Sequence, residues 1–186
     1  LLLLKTLFTF CKLIEKIKLG KTQLSHSRGK LNNGSSWKVF TQPTPGESNE
    51  NASWYNGYAP NSTILKNAGF YQNKVVARAT TEQNFTLRYT LNGSQPTKTS
   101  SKYNDSITIN KTTVLKVRNF SDDTLILPGY IDFRTYFIDE PSSTLPVFSV
   151  ASEEAIALAE GDRELQPISS IECFDKDGNV YAISYG

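Results

Sequence analysis

From residue 74 to residue 138 apolar and polar side chains change places at every second position, in one run after another, and turn-forming residues close most of the runs. Val75, Ala77 and Ala79 share one face opposite Lys74, Val76 and Arg78. Phe85, Leu87, Tyr89 and Leu91 alternate with Thr86, Arg88 and Thr90, and that run stops at Asn92-Gly93, a strong two-residue turn signal. Ile107 and Ile109 make a further short run. Leu115 and Val117 point inward with Lys116 and Arg118 outward, and Ile131, Phe133, Thr135 and Phe137 close the set. A period of two commits each run to a half-buried strand. At least five such runs at intervals of about ten residues, with no helical pattern between them, predict a sandwich of antiparallel strands.

The expected fold class is therefore mainly β: an Ig-like antiparallel β-sandwich with partial flanking units and one short helix. Ser, Thr and Asn make up about a quarter of the chain, a composition that suits a β-rich surface module better than a helical bundle. Two polar, turn-rich stretches divide the sequence. Thr41 opens the first, which runs through Pro43-Thr44-Pro45-Gly46 to Pro60-Asn61, where prolines fix the backbone and remove donors. The second is Asp139-Glu140-Pro141-Ser142-Ser143-Thr144. The expected units are an N-terminal one at 1–46, a linker at 47–67, the sandwich at 68–140, and a helix-plus-hairpin opening of another domain at 141–186. In that last unit Ser152 suits an N-cap, Glu153 and Glu154 the first helical turn and Gly161 the end. Residues 170–174 and 180–184 flank Asp175-Lys176-Asp177-Gly178-Asn179 as a hairpin. Residues 1–20 fit either a helix or a strand. A sandwich of about 70 residues buries only roughly 60% of its unfolded surface, so contacts with its neighbours are expected to matter.

Composition removes several functions. Twenty Lys+Arg against 18 Asp+Glu leave +2, too little excess charge to hold a nucleic acid by counterion release. One histidine, His26, and two cysteines, Cys11 and Cys173, fall short of a zinc site of the usual N/S ligands, so no metal and no cofactor is expected. The lysine-interrupted leucine run at the start is no membrane span, which needs about 20 unbroken apolar residues. With no initiating Met, and with an end just past a strand-like run, the chain reads as a fragment.

The string Arg88-Tyr89-Thr90-Leu91-Asn92-Gly93-Ser94-Gln95-Pro96-Thr97, followed by Tyr103, Ile107-Thr108-Ile109 and Thr112-Thr113-Val114-Leu115-Lys116-Val117-Arg118, resembles the chitobiase/β-hexosaminidase C-terminal-type β-sandwich module. That family carries an R-Y-T-x-D-G-S-x-P-T hairpin and a T-T-V-L-K-A-R strand; Asn92 replaces its usual Asp and Val117 its common Ala, both keeping turn and strand chemistry. The resemblance implies structural roles for Arg88, Tyr89, Thr90, Asn92, Gly93, Ser94, Pro96 and Thr97. Trp37 with Phe40-Thr41-Gln42-Pro43-Thr44-Pro45-Gly46-Glu47-Ser48-Asn49 is similar to the closing strands of a lamin-tail-type domain. Leu145-Pro146-Val147-Phe148-Ser149-Val150 and Ile171-Glu172-Cys173-Phe174-Asp175-Lys176-Asp177-Gly178 are similar to the lead-in of the spore-coat protein H (CotH) kinase-like family. Together these resemblances imply a non-catalytic spacer or carbohydrate-associated binding module of an extracellular or cell-surface protein. Its partners would be neighbouring domains of the same chain and polysaccharide. The alternative is the N-terminal extension of a CotH-type protein kinase whose catalytic part lies elsewhere.

Few residues invite chemistry. Asp175-x-Asp177-Gly178-Asn179 has the start of a calcium loop but lacks the distal bidentate Glu, and a tight turn explains it. His26 lies among Ser25, Ser27 and Ser35 with no orienting acid in sight, and reads as a surface polar residue. Trp54, Tyr55 and Tyr58 are the candidate sugar-stacking residues, since ring faces receive the apolar face of a pyranose; the competing reading is that they pin the linker to the sandwich. Cys11 and Cys173 lie in different units and are expected to be free thiols.

Overall fold

The structure, a computed structural model, describes residues 16, 18, 20–31, 34, 36–141 and 143–185. The helix-or-strand alternative for 1–20 falls almost wholly outside them, as do Cys11 and Ser35. Cys173 is a buried free thiol.

Five strands form the main sheet: β6 (Gly69–Tyr71), β9 (Thr86–Thr90), β10 (Ser101–Lys102), β12 (Thr113–Phe120) and β14 (Asp132–Ile138), in the order β10-β9-β12-β14-β6. The opposing layer pairs β11 (Ile107–Ile109) with β7 (Val75–Ala77), and β5 (Thr63–Ile64) with β8 (Ala79–Thr80). Between them lies the core the alternation calls for: Val75, Ala77, Leu87, Ile107, Ile109, Leu115 and Val117, joined by Ile64, Tyr136 and Ile138. Tyr136 is fully buried and donates its hydroxyl to the Lys66 carbonyl at 2.9 Å, so its polar atom is satisfied inside an apolar layer.

Two details depart from the sequence reading. Not all pairing is antiparallel: β14 and β6 run parallel, and so do β13 (Ile126–Leu127) and β4 (Gly57–Tyr58). On β14 it is Tyr136 and Ile138, not Phe133, Thr135 and Phe137, that enter the sandwich core. The other parity is hidden by a second interface. The strands β15 (Val147–Ala151), β16 (Ser170–Phe174) and β17 (Val180–Tyr185) form a three-stranded antiparallel sheet laid across the outer face of the main one. Phe174, fully buried, meets Phe137 and Phe70 edge-on at 5.2 and 6.0 Å, and Phe133 faces Tyr185 at 6.1 Å. Lys116, expected to point to solvent, does lie on the outward parity but is only 1% exposed, because this sheet covers it; its ammonium donates to the Ala151 carbonyl at 3.2 Å.

The edge of β14 left free by the short β6 is capped from the same sheet: the Thr135 N–H donates to a carboxyl oxygen of Glu172, a residue with no exposed surface. Burial raises the Glu172 pKa against the lowering effect of its hydrogen bonds from Thr135 and the charge of Arg134. Burial lowers that of Lys116 to about 8, with Glu153 acting weakly the other way. The two residues should give opposite pH slopes. The unfolded chain ionises Glu172 first, so its contribution falls as pH climbs from the ordinary value of 4.5 to the raised folded one. The unfolded chain also holds the Lys116 proton longer, so stability is regained from about 8 towards 10.5. Urea unfolding across this range should show both slopes. Glu172→Gln is expected to flatten the first and Lys116→Met the second, and parallel profiles for parent and variants would refute the assignment.

The flanks are tied in. β1 (Ser27–Lys30), β2 (Trp37–Phe40) and β3 (Trp54–Tyr55) form a small antiparallel sheet. The Pro-Gly loop between β2 and β3 is closed by Asn49, which donates to the Lys30 carbonyl at 2.9 Å and accepts from the Thr44 hydroxyl at 2.7 Å. The stretch expected as a linker, 47–67, carries β3, β4 and β5, each paired to a different partner strand. The one helix among the described residues, α1 (Ala155–Ala159), begins three residues after Ser152, later than the expected N-cap, and Glu154 occupies the cap position without a side-chain bond. Ser152 instead accepts the N–H of Glu154 two residues on, a local turn that competes with a helical start. The Asp175–Asn179 segment is the expected hairpin turn: Asp175 Oδ1 accepts the N–H groups of Asp177 and Asn179 at 2.9 and 2.8 Å, with Gly178 at φ +81°.

Candidate functional site: a cleft shared by the three segments

The family-type hairpin is a structural knot. Arg88 donates to the Ser100 carbonyl at 2.7 Å, Tyr89 packs against the core, and the Thr90 hydroxyl donates to the Ser94 carbonyl at 2.6 Å. Asn92 Oδ1 accepts the N–H and hydroxyl of Ser94, Gly93 sits at φ +78°, Pro96 is fully buried, and Thr97 N–H donates to Ser100 Oγ at 2.9 Å. The Asn92-Gly93 turn does not join two paired strands directly. Asn92 bridges to Val114, the chain rejoins β9 only at β10, and Gly93 seats against Ala151 of β15.

Trp54 and Tyr55 are neighbours on β3 and so project to opposite faces. Trp54 has the Lys38 ammonium over its ring, 4.4 Å from the centroid. Tyr58, on β4, sits apart from both strand positions in a polar cluster. Its hydroxyl accepts the Gln23 N–H at 3.1 Å and meets His26 Nδ1 at 2.8 Å, the two rings lying parallel within 2°. Tyr130 tilts against it at 5.3 Å, and the Arg28 guanidinium lies 5.9 Å from its centroid. His26 is thus half-buried in a cluster rather than a free surface residue. Burial, and secondarily the charge of Arg118, lower its pKa, so the ring is neutral at pH 7. With Nδ1 accepting from the Tyr58 hydroxyl, the proton is assigned to Nε2.

This cluster walls a cleft of about 500 Å³ to which all three segments contribute: Gln23 and His26 from the first, Gln95, Arg118 and Tyr130 from the sandwich, Tyr185 from the last. Arg118 organises it. Its Nε donates to the Gly129 carbonyl and its Nη2 to Gln23 Oε1, both at 2.7 Å, and Gln23 Nε2 is in turn held by the Pro128 and Gly129 carbonyls. Among the described residues no carboxylate pairs with Arg118. Behind the wall, Tyr130 Oη and Arg28 Nε are buried without hydrogen-bond partners. The sequence reading missed Arg118, Tyr130 and Tyr185: alternation marked Arg118 as outward-facing, and no short-range signal says what lies over an outward face.

A second cleft of about 490 Å³ gathers Asp139, Glu140, Asp175 and Asp177 beside Phe70 and Tyr71. Three of these carboxylates are occupied structurally: Asp139 accepts the Asn73 N–H, Glu140 the Thr112 hydroxyl and Asp175 the turn amides. No group of three His, Cys, Asp or Glu among the described residues is arranged to hold a metal ion. No helix among them is long and apolar enough to cross a membrane.

Comparison with known proteins places one part of the chain. No curated protein and no solved structure matches it. Residues 66–125, from the end of β5 through the Arg88–Thr97 hairpin to the loop after β12, match the chitobiase/β-hexosaminidase C-terminal domain family.

Proposed function

We propose that this chain is a non-catalytic, carbohydrate-associated β-sandwich module of a surface or secreted multidomain protein, and that it binds polysaccharide. The observation that carries the reading is the family match at 66–125, which coincides with a folded sandwich whose signature residues are spent on structure rather than on chemistry. The lamin-tail-type and CotH-type resemblances of the flanks extend the proposal to a larger surface protein, in which such a module would sit between neighbouring domains. A rigid spacing role is favoured by a separate observation: the Glu172–Thr135 bond, Phe174 and the β4–β13 pairing fasten both flanks to the sandwich.

The test is retention of the purified chain on insoluble polysaccharides, neutral (chitin, cellulose) and acidic (de-esterified pectin). Retention on any of them that free oligosaccharide competes away is the expected result. Passage through all of them overturns the binding reading and leaves spacing alone.

A further inference from the structure

We propose that the cleft around Arg118 is a subsite for a carboxylate-bearing pyranose, a uronic acid residue of an acidic polysaccharide; this rests on the carbohydrate-binding reading above and names its ligand class. Arg118 is half-buried, and removing a cation from water is costly unless an opposite charge or a full set of hydrogen bonds replaces the solvent. Two of its N–H groups are used, on Gly129 and Gln23, and among the described residues no carboxylate answers the charge. Arg28 adds a second guanidinium behind Tyr58. No acid is among the described residues that line the cleft, and Glu153, outside the lining, is bonded to the Gln95 N–H. A guanidinium fork with free N–H groups matches a carboxylate in a bidentate pair, and such charge-assisted bonds are the strong ones.

The rest of the wall suits a sugar ring better than an acidic side chain of a peptide. Tyr130 and Tyr185 offer ring surface for the C–H face of a pyranose, and the Gln95 amide and His26 Nε2–H offer hydroxyl partners. At about 500 Å³ the cleft falls within the range of small-ligand sites. Gln23 is locked by the two backbone carbonyls, so the fork it holds is oriented before any ligand arrives.

The experiment is an NMR and calorimetric titration of the whole chain with a galacturonic acid trisaccharide, a galactose trisaccharide of equal length, and a glutamate tripeptide. The galacturonate is expected to bind at least about tenfold more tightly than either control, to shift the Arg118 Nε–Hε and Gln23 amide signals, and to weaken with added salt. Arg118→Gln should remove the preference for the acid. Tyr130→Leu removes ring surface from the wall without changing its charge, and should weaken both sugars to a similar extent. Equal affinity for the two sugars, or shifts confined to residues outside the cleft, overturns the subsite while leaving carbohydrate binding intact. Preference for the glutamate peptide overturns it in favour of an acidic peptide. No affinity for either sugar, together with passage through all the polysaccharides, overturns both readings.

Discussion

Phe174→Ala is expected to lower the unfolding free energy by about 3–5 kcal/mol, the cost of deleting a buried aromatic and leaving its cavity. The ring is fully buried and stands edge-on against Phe70 of β6 and Phe137 of β14, which stack on each other at 4.5 Å, so neither can collapse into the space without breaking that stack. The measurement also tests how many units the chain folds as. If the C-terminal sheet and the sandwich unfold together, a single transition moves to lower urea with an unchanged slope. If they are independent, the substitution splits the curve and leaves the sandwich transition where it was. The buried Glu172–Thr135 and Lys116–Ala151 bonds cross the same interface and favour the first outcome.

Gly93→Ala should cost about 2–5 kcal/mol, measured in the same way, from two sources that add. A left-handed backbone penalises any Cβ by about 1–2 kcal/mol, and Gly93 lies at φ +78°. The new Cβ would also stand 2.9 Å from Ala151 Cβ on β15, an overpacking that costs about 1–3 kcal/mol more. Pairing it with Ala151→Gly separates the terms. Relief of the crowding should recover the second and leave the first, whereas a loss of stability unchanged in the double variant would show that the turn does not seat on β15. The glycine of this hairpin is thus required twice, once by its own turn and once by the strand it touches.

These two positions show where local reasoning stops. Strand periodicity was enough to find Leu115 and Val117 on β12 and Ile107 and Ile109 on β11, because a two-residue repeat assigns side chains to faces without reference to any partner. It also separated Lys116 and Arg118 from that core correctly. It could not say that their face is roofed by β15–β17, since the alternation of a strand half-buried against solvent and of one covered by a polar interface look alike when the covering residues are Ser149, Ser170 and Glu172. The same blindness put Phe133 and Phe137 in the wrong core: both faces of β14 carry large apolar side chains, Phe133 and Phe137 on one and Tyr136 and Ile138 beside Asp132 and Arg134 on the other, and only the partner sheets choose between them.

The turns were legible for a related reason. Asp175-Lys176-Asp177-Gly178-Asn179 folds on bonds that span four residues, and Asn92-Gly93-Ser94 on bonds that span two. The cleft was not, because His26, Arg118 and Tyr185 come from three segments and are gathered by contacts as distant in sequence as Gln23 with Arg118, 95 residues apart.

Sequence alone settled that the middle of the chain is a β-sandwich, that Val75, Ala77, Leu87, Ile107, Ile109, Leu115 and Val117 face its core, and which family it resembles, for those follow from repeats and short motifs. The tertiary structure decided that a second sheet buries the outer face with a lysine and a glutamate inside it, and that an arginine with no counter-charge among the described residues opens onto a shared cleft. The physical reason is that burial and charge compensation are properties of what lies across the gap, and a side chain's place along the chain does not contain its neighbour's.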